Sequence, residues 1–306
     1  MIRQRLWLAV LPACALLGCT LSVVPPGATL DAEAIGKAAG SNTTTQADGV
    51  VRIGWSRSDV EVNIDGMPFK PQAGLGSWAA FQANPKGAMV MGDTVVFQDE
   101  VDAAMDAAFA DGLEITALHN HFFFDEPKVY FMHIGGQGEP TELAAAVKSV
   151  WDAIKAVRST SPTPASRFPG PIPTAGSIDA SVIDRILGAK SGVNNGVVKV
   201  SFPREGSMHR TPIGATMGLS SWAAFSGNDE LAAMDGDFIM TAEEVQPVLR
   251  AMRKASIHVV ALHNHMVGEQ PHFYFTHYWA TGSVEKLARG FKAVLDAQAA
   301  VHRRQG

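Results

Sequence analysis

The sequence predicts an α+β fold built from two tandem copies of one unit, each a mixed sheet with helices, the two related by internal pseudo-twofold symmetry. Cupin-like β-barrel repeats are the alternative. Three observations lead there. Ala-Leu-His-Asn-His occurs at 117–121 and again at 261–265. Gly-Leu-Gly-Ser-Trp-Ala-Ala-Phe at 74–81 returns as Gly-Leu-Ser-Ser-Trp-Ala-Ala-Phe at 218–225. Between the copies lies a stretch, 159–174, with prolines at 162, 164, 169, 171 and 173, which reads as an extended linker with little capacity to pack.

The first 19 residues stand apart from the fold. Arg3 and Arg5 form a positive start, Leu6–Leu17 is apolar but too short to span a bilayer, and Leu16-Leu17-Gly18-Cys19 closes it. That tetrapeptide resembles a bacterial lipobox, which implies export, cleavage before Cys19, lipidation of its thiol and residence in the cell envelope, at the outer membrane if the cell is Gram-negative. An ordinary secretory leader is the plainer alternative. Cys14 and Cys19 are the only cysteines, so the chain beyond them offers no disulfide and no thiolate ligand. Without the leader, 23 Lys and Arg face 30 Asp and Glu, a net charge of −7, which argues against a nucleic-acid partner. No later segment is apolar enough to cross a membrane, so the lipid at Cys19 would be the membrane contact.

Repeat 1 runs over 27–158 and repeat 2 over 175–306, and their elements match in order. Leu30-Asp31 with Ile35, and Ile178-Asp179 with Ile183, each predict a short helix with an acidic start. Gly49-Val-Val-Arg-Ile and Gly196-Val-Val-Lys-Val predict a strand in each copy. Glu100-Val101 and Glu244-Val245 open amphipathic helices that lead into the histidine strands. Leu143–Asp152 and Leu287–Asp296 are matching helices at the end of each unit. Insertions fall only between these elements, as loops permit. One pseudo-symmetric body is the preferred picture, and two separate beads the alternative.

The histidines carry the chemistry. His119, His121 and His133 are matched at an offset of 144 by His263, His265 and His277, giving His-x-His-x11-His twice. Residues two apart on a strand share a face, and 113–119 and 128–134 are rich in strand formers, with Asp-Glu-Pro at 125–127 as the turn. A hairpin placing His119 or His121 opposite His133 would gather three imidazoles on one face. Three neutral imidazoles with an open fourth position describe a catalytic divalent metal site, with zinc the default and manganese, iron or nickel open. The plainer alternative is histidines that merely hydrogen-bond in a half-buried strand.

A metal-activated mechanism also wants a carboxylate. Matched acids occur at Asp93/Asp237, Glu100/Glu244 and Asp125/Glu269. The first pair follows a glycine and reads as turn chemistry, the second begins a helix and reads as dipole compensation. Asp125 and Glu269, between the histidine strands, are the preferred catalytic acids. Trp78/Trp222 and Phe81/Phe225 read as core or as pocket wall. Ser77 and Ser221 lack a nucleophile elbow. His258 and His272, without counterparts in repeat 1, read as surface residues.

The lipobox, the paired Trp-Ala-Ala-Phe strings, Met91-Gly92-Asp93 with Asp235-Gly236-Asp237, and the doubled Ala-Leu-His-Asn-His together resemble the LppY/LpqO family of bacterial lipoproteins over nearly all of the chain. That family is described chiefly as a domain of unknown function. His-x-His with a third histidine downstream is similar to the zinc motif of acetolactate decarboxylase and its relatives, which implies metal ligation by His119, His121, His133 and their partners in repeat 2. The decarboxylase's further glutamate and arginine have no counterpart here, so the resemblance does not extend to its reaction. The motif is also loosely similar to cupins, where Glu follows His-x-His within a few residues, as Glu126 and Glu269 do. Three function classes result: a metal-dependent hydrolase of a small ester, amide or phosphoester; a lipoprotein that binds a metal or small ligand without turnover; or an envelope protein whose histidines tie strands.

Overall fold

The computed structural model describes residues 29–303, so the leader and Cys19 lie outside the described residues. Repeat 1 consists of α1 (Ala32–Ala39), β1 (Thr43–Thr45), β2 (Val51–Ser56), β3 (Val62–Ile64), β4 (Met67–Phe69), β5 (Gly76–Asn84), β6 (Gly87–Phe97), α2 (Val101–Ala110), β7 (Glu114–His119), β8 (Asp125–Glu126), β9 (Val129–Gly138) and α3 (Pro140–Thr160). Repeat 2 consists of α4 (Ala180–Leu187), β10 (Gly192–Asn194), β11 (Val197–Pro203), β12 (Gly206–Met208), β13 (Thr211–Ile213), β14 (Ser220–Gly227), β15 (Ala232–Met240), α5 (Ala242–Lys254), β16 (His258–His263), β17 (Tyr274–Gly282) and α6 (Val284–Arg303). Asp31 and Asp179 cap α1 and α4 by accepting from backbone amides of the first turn, the physical content of the acidic starts.

Twelve strands form one sheet in the order β1-β2-β5-β6-β9-β7-β16-β17-β15-β14-β11-β10. Its pairings are antiparallel, which corrects the mixed sheet expected from sequence. The reason is topological. β6 and β7, joined through α2, run in the same direction, but β9 inserts between them and pairs antiparallel with both. The order ends at β1 on one side and β10 on the other, so the sheet is open and the barrel alternative falls. From either edge the order passes through equivalent strands, and at the centre Leu118 pairs with Leu262, its own counterpart.

Alternation along the strands sorts the side chains. Val51, Phe81, Val90, Met132, Val198, Phe225 and Met234 face the six helices, and a single apolar core joins both repeats. The two-bead alternative fails on that continuity. Val95, Phe97, Val129 and Phe131 point to the other face, where Val62 and Leu75 cover them together with the small sheet β4-β3-β8. Ile239, Phe273 and Phe275 are covered similarly in repeat 2 by Ile213 and Leu219. No helix among the described residues is long and apolar enough to cross a membrane.

The central strands break the alternation. In β7, Ile115 opposes Ile134 but Ala117 opposes His133, so Thr116 is an extra residue; β16 carries the same irregularity between Val259 and Ala261. A bulge of this kind reverses the facing of everything beyond it. Ile115 and Leu118 consequently both reach the helix-side core although they are three apart, and His119 is turned to the opposite face.

Beneath repeat 1, buried charge ties the elements together. Glu100, fully buried, accepts from Arg57 Nη1 and Nη2 at 2.8 and 2.9 Å and from the Phe97 amide at 2.8 Å. Arg57 also donates to the Val95 carbonyl and to Asp59, and Arg158 at the end of α3 lies 2.8 Å from Glu100. In repeat 2, Glu244 holds Arg204 and Gln298 and completes a capping box with Thr241. Ion pairing, more than helix-dipole compensation, is therefore what these glutamates do. Glu100→Ala leaves Arg57 buried without its main partner, and urea unfolding should show a loss of about 3–5 kcal/mol, against a smaller loss for Glu100→Gln.

Candidate metal centre

The strands place the histidines in three different ways. His119 and His263 end β7 and β16, and the bulges aim them away from the helices. His133 and His277 sit mid-strand, opposite Ala117 and Ala261, not opposite the first or second histidine as expected. The pairing still has the parity that brings all three to one face. His121 and His265 have left the strand: the Asn120 and Asn264 amides donate to the carbonyls of Phe122 and Met266 at 2.8 and 2.7 Å and turn the chain. Each of these two imidazoles then lies flat on a phenyl ring, His121 on Phe131 and His265 on Phe275, with interplanar angles of 5° and 8°.

In repeat 2 the ligand atoms of His263, His265, His277 and Asp237 all lie within 4.8 Å of one another. His265 Nε2 is 3.1 Å from His263 Nε2 and 3.2 Å from Asp237 Oδ2. Bonds of about 2.0–2.1 Å to a tetrahedral ion would set ligand atoms about 3.3 Å apart, so these spacings fit. His277 Nδ1 is 3.1 Å from the Gly236 carbonyl, an acceptor only; Nδ1 therefore carries the proton and Nε2 keeps its lone pair. In repeat 1 the corresponding ring centroids are 5.2 Å apart for His119–His121 and 5.1 Å for His119–His133, and Asp93 Oδ1 is 3.8 Å from His133 Nε2.

The acid is thus Asp93 or Asp237. Each is the cross-strand neighbour of the third histidine, Asp93 beside His133 and Asp237 beside His277. The Gly-Asp step is not a turn, as expected from sequence, but the middle of β6 and β15. A Cβ on Gly236 would collide with the Trp222 carbonyl and the Tyr278 hydroxyl, and close strand packing explains the glycine.

Asp125 and Glu269, the preferred acids from sequence, do not join the clusters of donors. Asp125 is buried and occupied locally, accepting from the Val129 amide at 2.7 Å and Lys128 Nζ at 2.9 Å. Glu269 accepts from the Phe273 amide at 2.9 Å. Both hold the turn into the third-histidine segment, where each repeat also has a cis X–Pro bond, Glu126–Pro127 and Gln270–Pro271.

Electrostatics agrees with a cation site. Burial pushes the Asp237 carboxyl above the usual carboxylate range against the pull of His277 and His265, and Asp93 is raised by burial against His133, His121 and His119. Burial, reinforced by His277 and His265, holds the His263 imidazole down to about 4, and burial also lowers His121. The imidazoles with lowered pKa are neutral near pH 7, the form that binds a metal. Asp93 Oδ1, Asp237 Oδ1 and His263 Nδ1 are buried without a hydrogen-bond partner. Unsatisfied buried oxygens beside neutral imidazoles are costly alone and are satisfied by a cation. In repeat 2, Asp237, His263, His265 and His277 could hold a metal ion.

Two clefts adjoin the clusters. One of about 670 Å³ is lined by Trp78, Asp93, His121 and Phe131, with Pro71 and Gln72 at its side. Trp78 is therefore pocket wall, stacked under Arg52 at 4.6 Å, while Phe81 is core. The other, about 560 Å³, lies between the repeats and is lined by His119 from one and by His263, Glu269 and His272 from the other.

None of the curated proteins matches the chain. Among solved structures, the trimeric bacterial microcompartment shell protein PduB is 9% identical, with 84% of this chain and 90% of that one covered and a TM-score of 0.20. EtuB from Clostridium kluyveri is 12% identical, with 86% and 92% covered and a TM-score of 0.20. Likenesses at these scores carry no argument about fold or function. The sequence itself matches a family twice, over residues 33–153 and 181–297, each match spanning one histidine motif and its acid, and the chain belongs to that family, described as Domain of Unknown Function (DUF1259).

Proposed function

We propose that the protein binds two divalent metal ions, zinc being the ion that suits three imidazoles and a carboxylate, and that it is a metal-dependent hydrolase of a small ester, amide or phosphoester. The observation that carries the metal reading is the gathering of ligand atoms from His263, His265, His277 and Asp237 within 4.8 Å of one another. The similarity of the histidine motif to three-histidine zinc proteins supports it. The palindromic strand order and the Leu118–Leu262 pair support a pseudo-twofold axis through the centre of the sheet, which would relate one site to the other.

The two sites differ in openness. In repeat 2 the carboxylate closes on His265, which leaves a compact four-donor set suited to holding an ion firmly. In repeat 1 Asp93 stands back from His133 and lines the larger cleft with Trp78 and His121, so the first repeat is the reactive one in this reading. A bound divalent ion would supply Lewis acidity toward a substrate carbonyl or phosphoryl oxygen and acidify water beside it. The protein's own groups do the rest. Trp78 offers a flat wall for the substrate, and Asp93, raised by burial, is placed to take a proton from water and return it to the leaving group. The resemblance to LppY/LpqO lipoproteins supports export and lipid attachment at Cys19, with the site working in the cell envelope.

Elemental mass spectrometry of untagged protein should find close to two ions per chain, one after His119→Ala or His263→Ala, and none in the double variant; Asp237→Ala should loosen the second ion, and Glu269→Gln should leave both in place. No metal after incubation with zinc, manganese and iron would remove this reading. Hydrolysis of p-nitrophenyl acetate or bis(p-nitrophenyl) phosphate should fall by roughly 10²-fold or more in Asp93→Ala and His119→Ala and survive His263→Ala. Turnover that persists in the His119/His263 double variant would exclude the metal from the reaction. In cells, Cys19→Ala should move the protein from the membrane fraction to the soluble fraction, and an unchanged distribution would exclude the lipid anchor.

A further inference from the structure

The Pro-rich linker does not hang free between the repeats. The Ala165 amide donates to Asp99 Oδ2 at 3.0 Å, and Phe168 stacks on His258 with centroids 3.6 Å apart and planes within 10°. His258, expected at the surface, is instead only 23% exposed and is held by Asp102, which also takes Arg253 at 2.7 Å. Pinned at these points, the linker roofs a cavity of about 500 Å³ over the central strands. Tyr130, Trp279, Phe168 and Val260 form its walls, and Ile172 lies at its edge.

The histidine clusters contribute nothing to this cavity. Nor does it have a counterpart in repeat 2, since the linker covers only the start of α2. Glu243, the equivalent of Asp99, is fully exposed, and Tyr274, the equivalent of Tyr130, is 36% exposed. Covering by the linker leaves the Asp99 side chain largely buried, 18% exposed, with Oδ2 taken by Arg158 and the Ala165 amide and Oδ1 closed off from solvent and cavity alike. Val260 and Ile172, exposed by 38% and 68%, are large apolar side chains left in water at the same place.

Aromatic and aliphatic walls of this size describe a pocket for a small organic molecule. Flat walls favour a planar ligand. We propose that the linker cavity is a binding site for a flat, apolar aromatic molecule, separate from the metal clusters. The linker thereby joins the repeats and also forms one wall of a ligand site.

N-phenyl-1-naphthylamine has this chemistry and fluoresces on entering an apolar site. Titrated into the purified protein, it should give a saturable, one-to-one signal with a dissociation constant on the order of 100 μM, from a ligand efficiency of about 0.3 kcal/mol per non-hydrogen atom. Val260→Lys and Ile172→Asp, at exposed positions that keep their melting temperature by circular dichroism, should each weaken binding about tenfold or more by placing a charge at the apolar wall. His119→Ala, His263→Ala and chelation should leave binding unchanged, which separates this site from the metal reading. Absence of saturation in the natural sequence, or affinity unchanged from it in both charged variants, would overturn the proposal.

Discussion

A β-sheet has two faces, and the helices of this protein occupy one of them. Histidines on the helix side would be buried in an apolar core with no partner, where neither a metal nor a substrate could reach them. Strict alternation from Ile115, which packs under the helices, would put His119 on that side. One extra residue in β7 and one in β16 prevent it. In repeat 2 the bulge is held in place by Thr276, whose hydroxyl donates to the Ala261 carbonyl at 2.7 Å. The clusters, the buried Asp93 and Asp237 opposite them, and the clefts on the helix-free face all depend on those two bulges.

Much of this was legible in the sequence and some was not, for physical reasons. Repeats, element order and the six histidines follow from residue identity, because strand and helix periods and a constant offset are written into the chain. The bulges leave no residue-type signature: Thr116 and Val260 are ordinary strand formers, and only the register against β9 and β17 shows them as extra. The acid beside the histidines is hard to find from sequence because Gly-Asp reads as a turn, whereas here the glycine admits a close approach of neighbouring strands. Thr94-Val95-Val96-Phe97, directly after Asp93, was the available signal that the pair lies within a strand. Asp125 and Glu269 have the right sequence position but stand outside the donor clusters, each with one oxygen on a backbone amide of the following strand segment.

The repeats have also diverged where they meet solvent. The position three residues after the second histidine takes a left-handed backbone in both copies, as Phe124 with φ 57° and as Gly268 with φ 93°. Glycine adopts that conformation freely, while a bulky side chain costs about 1–2 kcal/mol. Repeat 1 accepts the cost and leaves Phe123 and Phe124 exposed beside its histidines, 80% and 73%. Together with the set-back Asp93 and the larger cleft, these rings make repeat 1 the more open and more apolar of the two sites. Repeat 2 has the tighter donor set.

Anomalous diffraction from crystals grown with zinc tests the central claim most directly, because it locates ions independently of activity. Two strong peaks at the zinc edge are expected in each chain. One should be bonded by the imidazole nitrogens of His263, His265 and His277 with Asp237, and the other should lie among His119, His121 and His133 on the same helix-free face. Peaks at other side chains, or histidines that remain paired with each other and with Asp237 in fully zinc-soaked crystals, would contradict it.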